Sequence, residues 1–452
     1  MDAGREPGFG AGRGGVALSI NVLLVHPVVR ESALPANLPL GLAYTSAALK
    51  REGISCHVLD LNMARLWTKD LGHLVRETLR VGKFTHVGIS AIVTQFAHVE
   101  KLVGWIRGVD AQLPIIVGGP ISALGEKLHK WLGVNVYQGE SESLFGGYLR
   151  LEQYREDPVF STLNPVDVNK IPWPDWKAFS HKYFQHPVGW LNKNKWRGGN
   201  PDKPMPNSMN MSWARGCPYK CSFCSCCSKD QPYRKRDPRE IVREMVHLRR
   251  HFSVEYVHAA DDNTVLDRGW LAEVCEQIRA EKALEGVTWG CAGRADNIDV
   301  GILEVMRDAG CRLVGVGIES GSQKVLDSYD KKTTVEDNER AILACKKVFG
   351  AACFTLMVGS PVEDDESVQE TIDLCKRTGS RPEMVFHATP LPGSRLYERL
   401  ENLGYDMGLE YVRGLGEMGE GIAFNMTDKP DAWLRAARGK ILSETAGLES
   451  AL

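Results

Sequence analysis

Cys217, Cys221 and Cys224 stand in the spacing C-x3-C-x2-C within WARGCPYKCSFCSCCS (213 to 228), with Phe223 directly before the third cysteine. Iron–sulfur clusters are held by cysteine thiolates, usually four of them. Three on one short loop can hold three irons and leave a fourth for another ligand. Zinc is the competing chemistry, but structural zinc draws on two CxxC-like pairs a dozen or more residues apart, and this is one compact triplet. Cysteines as buried small hydrophobes would leave the spacing unexplained. Cys226 and Cys227 extend the run and offer alternative thiols.

The loop must be positioned by regular elements, and the flanking sequence supplies them. From Ile20, short apolar runs alternate with helical stretches. NVLLVHP (21 to 27), SCHVLDL (55 to 61), THVGISAI (85 to 92), PIIVGGP (114 to 120) and VNVYQG (134 to 139) read as strands. Residues 40 to 53, 95 to 107, 122 to 131 and 141 to 153 read as helices. This alternation predicts a parallel, doubly wound sheet with its ligand at the carboxyl ends of five strands. Residues 154 to 208 break into Pro-rich, Trp-rich irregular chain, with Trp173, Trp176, Trp190 and Trp196 expected as packing anchors. From 209 to 400 six further strand and helix units follow, beginning at NMSWARG and ending at MVFHATPLPG. The tail, 401 to 452, carries one amphipathic stretch, DAWLRAARGKILSE, expected as a lid or cap.

Composition narrows the function. The chain has 452 residues and a net charge of -2, too long for one ordinary core and without a nucleic-acid footprint. No apolar stretch reaches the 18 or more residues needed to span a bilayer. Residues 1 to 16 are Gly- and Arg-rich, are expected to be disordered, and lack the apolar core of a signal peptide. A cytoplasmic protein is expected, in which the 12 cysteines serve metal or remain free thiols rather than forming disulfides.

The triplet, Phe223 and the lead-in Arg215-Gly216-Cys217-Pro218 resemble the radical S-adenosylmethionine (SAM) superfamily, whose open iron chelates the amine and carboxylate of SAM. Cys226 and Cys227 fall outside that pattern, which makes them neighbours of the cluster. The six units from 209 resemble the partial (β/α)6 barrel of the family, with its chemistry at the carboxyl ends of the strands. The resemblance implies that Asp261 and Asp262 meet the SAM amino group and that Arg294 meets its carboxylate. It further implies that Glu319 and Ser320 reach the ribose or methionyl end, that Val358 packs near adenine, and that Phe223 flanks the cluster.

Residues 17 to 153, with LPLGLAYTSAALKREG, the VGGP turn and YQGESES, resemble the cobalamin-binding domain that precedes many radical SAM cores. Gly118 and Gly119 would let the backbone approach a ligand closely. The D-x-H-x-x-G signature is missing and His26 has no such context, so a Rossmann-like domain without cobalamin is the alternative.

The family's chemistry is reductive cleavage of SAM and hydrogen abstraction by a 5′-deoxyadenosyl radical, with flavodoxin or ferredoxin as reductant. With so short a tail after the TPLPG turn, the chain also resembles the shorter radical SAM diol dehydratase of apramycin-type aminoglycoside pathways, which works with a separate reductase. That resemblance implies dehydration of a small polar metabolite such as paromamine. Asp296 and Glu319 would be catalytic, and Glu363, Asp364 and Asp365 would be candidates to receive ammonium groups, unless residues 363 to 366 are simply a helix start. Cobalamin-dependent methyl transfer is the alternative reaction. A non-catalytic iron–sulfur or SAM-binding sensor is the alternative from another class.

Overall fold

The computed structural model describes residues 19–31, 34–35, 37–162, 165–185, 206–225, 232–417 and 421–450. The stretch 1 to 16, Trp190, Trp196, Cys226 and Cys227 lie outside the described residues.

The first sheet is parallel throughout. Its strands are β1 (Asn21–His26), β2 (Ser55–Asp60), β3 (His86–Ser90), β4 (Ile115–Gly118), β5 (Asn135–Gln138) and β6 (Val159–Ser161), in the order β2-β1-β3-β4-β5-β6. Side chains alternate across a strand, so Val22 and Leu24 enter one apolar cluster while Leu23 and Val25 enter another on the opposite face. Both faces are covered, which is why these strands read as unbroken apolar runs. The order reverses between β1 and β3, the crevice where ligands of open α/β sheets bind.

Two features differ from the expectation. A sixth strand, Val159–Ser161, continues the sheet beyond the five expected strands, pairing from Val136 to Val159. It is three residues long and lies in the Pro-rich stretch, so no periodicity marks it. A helix, Leu71–Gly82, also fills the crossover between β2 and β3.

The second sheet is built from β7 (Ser208–Met211), β10 (Tyr256–Ala259), β11 (Thr288–Arg294), β12 (Cys311–Glu319), β13 (Cys353–Val358) and β14 (Met384–His387). It is also parallel, in the order β14-β13-β12-β11-β10-β7, with no pairing between β14 and β7. This is a six-stranded open barrel. The short antiparallel pair β8 (Ala214–Arg215) and β9 (Arg234–Lys235) brackets the cysteine loop.

Local sequence explains the helices that cover it. Pro238–Phe252 opens with Asp237, whose side chain accepts from the Arg239 N–H, has Pro238 in its first turn and ends in Arg249, Arg250 and His251. These are an N-cap, a tolerated proline and dipole-matched charges.

The tail has two parts. Helix Leu409–Gly414 and the turn after it place Val412 and Leu415 in the apolar cluster of the first domain. Helix Asp431–Glu444 buries Leu434, Ala437 and Ile441 in the barrel's core. The stretch expected as a lid is therefore a packed element of the core, because its apolar stripe meets β13 and β14. Trp176 is buried, as an anchor should be, and Trp173 leans on His247 with 5.5 Å between ring centroids. Among the described residues no helix is long and apolar enough to cross a membrane.

Candidate functional site

At the carboxyl ends of the barrel strands lies a cavity of about 260 Å³ lined by Cys217, Cys221, Cys224, Phe223, Asp262 and Arg294, with Glu319 and Lys331 on its wall. The three thiols share this cavity. In an iron–sulfur cluster each thiolate binds a different iron, so three thiols around one cavity are able to hold such a group. Burial raises the Cys221 thiol pKa, against the pull of Lys331 and Arg294.

Arg294 ends β11 and enters the cavity beneath the loop. Its Nη1 donates to Cys221 Sγ at 3.2 Å, Nε and Nη2 donate to Asp296 at 3.1 and 3.3 Å, and Nη2 donates to the Lys331 carbonyl at 2.5 Å. Its guanidinium lies 3.6 Å from the centroid of the Tyr219 ring. Glu319 ends β12 after a bulge and sits in left-handed backbone, φ +65°. Its Oε1 accepts from Lys331 Nζ at 2.9 Å. A non-glycine residue there is strained, and such strain clusters at functional sites.

Other expected contacts point elsewhere. Asp261 is buried, but its Oδ1 accepts from the Trp213 N–H at 2.8 Å and its Oδ2 from Thr264 Oγ1 at 3.2 Å. It anchors the strand that leads into the cysteine loop, and Asp262 alone of the pair lines the cavity. Ser320 is fully buried against Thr371, and Val358 faces the apolar core. Asp296 is the bidentate partner of Arg294. Glu363 accepts from the Gly359 and Ser360 N–H groups at 2.7 and 3.0 Å, so it is buried and structural. Asp364 caps helix Asp365–Thr378 and pairs with Lys324, and Asp365 accepts from Trp433 Nε1. Residues 363 to 366 thus form a helix start, and each of these carboxylates is engaged within the chain.

Lys331, Cys353 and Thr355 line the cavity without having been expected there. For Cys353 and Thr355 part of the signal was available: alternation along β13 puts them on one face, although Phe354 between them also reaches the cavity. For Lys331 there was none.

A second cavity, of about 300 Å³, opens at the carboxyl ends of β1, β3, β4 and β5. Glycines floor it: Gly41, Gly88, Gly118, Gly119 and Gly139 all face it. A Cβ on Gly119, at φ +80°, would meet the Ala91 carbonyl oxygen at 2.8 Å, so only glycine fits this turn. The volume lies at the lower end of the range of small-molecule sites. No histidine lines the cavity among the described residues. His26 is buried at the end of β1, its Nδ1 without a hydrogen-bond partner.

Polar groups from both domains meet at the rim. Arg215 donates to Glu140 at 3.0 Å and Glu142 at 2.7 Å, and lies 4.7 Å from the centroid of the Tyr44 ring. Arg234, opposite Arg215 in the β8–β9 ladder, donates to Glu140 at 2.6 Å. Burial would raise the Glu140 pKa, but Arg234 and Arg215 outweigh it and hold it below the ordinary range.

Comparison with known proteins agrees with this geometry. Residues 211–375 match the radical SAM superfamily and residues 27–149 match the B12 binding domain. The anaerobic magnesium-protoporphyrin IX monomethyl ester cyclase of Rubrivivax gelatinosus is 27% identical over 84% of this chain and 70% of its own. An uncharacterised methyltransferase of Pyrococcus horikoshii is 24% identical over 84% of this chain and 83% of its own. Among solved structures, the radical SAM methyltransferase TsrM of Kitasatospora setae, with cobalamin and a 4Fe-4S cluster bound, superposes with a TM-score of 0.67. It is 19% identical and covers 85% of this chain and 75% of its own, a likeness of fold.

Proposed function

We propose that this chain, a B12-binding domain joined to a radical SAM domain, is a cobalamin-dependent methyltransferase whose small substrate lies between the two cavities. The observation that carries the reading is a short segment that touches both. Ser212 and Arg215 line the glycine-floored cavity, and Cys217, two residues on, lines the thiol cavity. Ala260 and Asp262 repeat the pattern after β10. A methyl carrier in one cavity and a cluster in the other would thus be held by neighbouring residues of the same two segments.

When bound, the cluster supplies one electron to the SAM sulfonium and cobalamin supplies a methyl carrier. The chain's own residues orient these groups. Cys217, Cys221 and Cys224 would hold the cluster, Asp262 would accept from the SAM ammonium, and the backbone at Gly118 and Gly119 would approach cobalamin. The Pyrococcus relative and TsrM are both methyltransferases. Dehydration of an aminoglycoside, the reaction expected from the short tail, has no counterpart in these relatives. The carboxylates meant for its ammonium groups are already engaged.

The test uses full-length chain reconstituted anaerobically with iron, sulfide and hydroxocobalamin, given methyl-deuterated SAM and a low-potential reductant. Methyl label recovered on protein-bound cobalamin supports the reading. Deoxyadenosine without label on cobalamin overturns methyl transfer, and a cluster with neither product favours a sensor.

A further inference from the structure

The buried guanidinium of Arg294 has five N–H groups, and four are accounted for. Nε and Nη2 form the edge that would grip a carboxylate in a fork, and Asp296 already occupies it. The second Nη2 hydrogen goes to the Lys331 carbonyl. Nη1 points at Cys221 Sγ, and the plane of the group is stacked on Tyr219, inside the cysteine loop. Asn297 extends the same grip by donating to the Tyr219 hydroxyl at 3.3 Å. A guanidinium so occupied has no free fork for the SAM carboxylate. It is instead a cation donating a hydrogen bond to one cluster-ligand sulfur.

Hydrogen bonds to the sulfurs and net charge set the reduction potential of iron–sulfur clusters. Reduction adds negative charge to cluster and thiolates, and a fixed cation with an N–H on sulfur stabilises that added charge. We propose that Arg294 is a positioning residue for the iron–sulfur centre, holding the Cys221 thiolate and making the cluster easier to reduce, and not a ligand of the SAM carboxylate. Asp296 keeps the guanidinium oriented and offsets part of its charge. The inference rests on the reading of Cys217, Cys221 and Cys224 as cluster ligands.

The experiment compares wild type, Arg294→Met and Asp296→Asn, each reconstituted as full chain under anaerobic conditions. Iron and sulfide content, SAM affinity, and the midpoint potential from an EPR-monitored titration with a one-electron reductant in the absence of SAM are measured. Arg294→Met is expected to shift the midpoint to more negative potential, with SAM affinity changed by less than about threefold. Asp296→Asn leaves the donor to Cys221 and removes a nearby negative charge, so it should shift the midpoint the opposite way. Unchanged midpoints in both variants, with SAM affinity weakened about tenfold or more in Arg294→Met, overturn the proposal. If Arg294→Met fails to fold or to hold iron, Asp296→Asn decides: a positive shift supports the proposal and no shift overturns it. A wild-type chain that takes up no iron overturns the cluster reading itself, a result distinct from either.

Discussion

Lys331 and Lys332 are adjacent residues of one type, yet the side chain of the first is 3% exposed beside Glu319 and that of the second 75% exposed beside Asp330. Only the turn after helix Gln323–Ser328 separates their fates. Glu363 shows the same dependence on surroundings. Burial holds its pKa up at about 7, against the Gly359 and Ser360 N–H groups that favour the anion. Between the ordinary carboxylate range, about 4.3, and pH 7 the folded state therefore binds more protons at this site than the unfolded state. Stability from this group is present at low pH and is lost as pH rises through that window. Glu363→Gln keeps an acceptor for the two amides and removes the charge. Denaturant midpoints measured across this window should fall with pH less in the variant than in wild type, and the variant should be the more stable above about pH 7. Parallel pH profiles would show that the carboxylate is not buried in solution.

Elements carry the next level of consequence. Helix Asp431–Glu444 was visible as an amphipathic period, but what its apolar stripe touches was not. Leu434, 1% exposed, lies against Gly359 at the end of β13, where a Cβ would stand 3.4 Å from its methyl group. Leu434→Ala should lower unfolding free energy by about 2–5 kcal/mol, read from urea denaturation followed by circular dichroism. A loss below about 0.5 kcal/mol would mean that the helix is an appended cap. The strands show the opposite case. Unbroken apolar runs in β1, β3 and β4 were legible because a parallel sheet covered on both faces needs them. The three-residue β6 was not legible, since its pairing with β5 carries no period of its own.

Across the whole molecule, the cysteine loop is held from both domains. Asn210 in β7 exchanges two hydrogen bonds with the backbone of Leu38, and Arg215 reaches Glu140 and Glu142. The apolar cluster that fills the barrel also runs into one face of the first sheet. Arg215→Met would leave the Glu142 carboxylate, 5% exposed, buried without its partner, a loss of about 3–5 kcal/mol. Adding Glu142→Gln should restore part of it. Strictly additive losses in the double-mutant cycle would show that the pair is not coupled.

Chemistry that depends on spacing along a short loop was set by the sequence itself. Cys217, Cys221 and Cys224 lie close enough that any compact loop brings them to one cavity, and periodicity alone predicts alternating strands and helices. Charge pairing between distant segments was beyond it. Arg294 finding Cys221, Asp261 turning to Trp213, and Lys331 meeting Glu319 depend on which strand ends the barrel brings together and on which way each side chain leaves its turn. The energy of a buried charge is decided by neighbours tens of residues away in the chain, and only the folded arrangement supplies them.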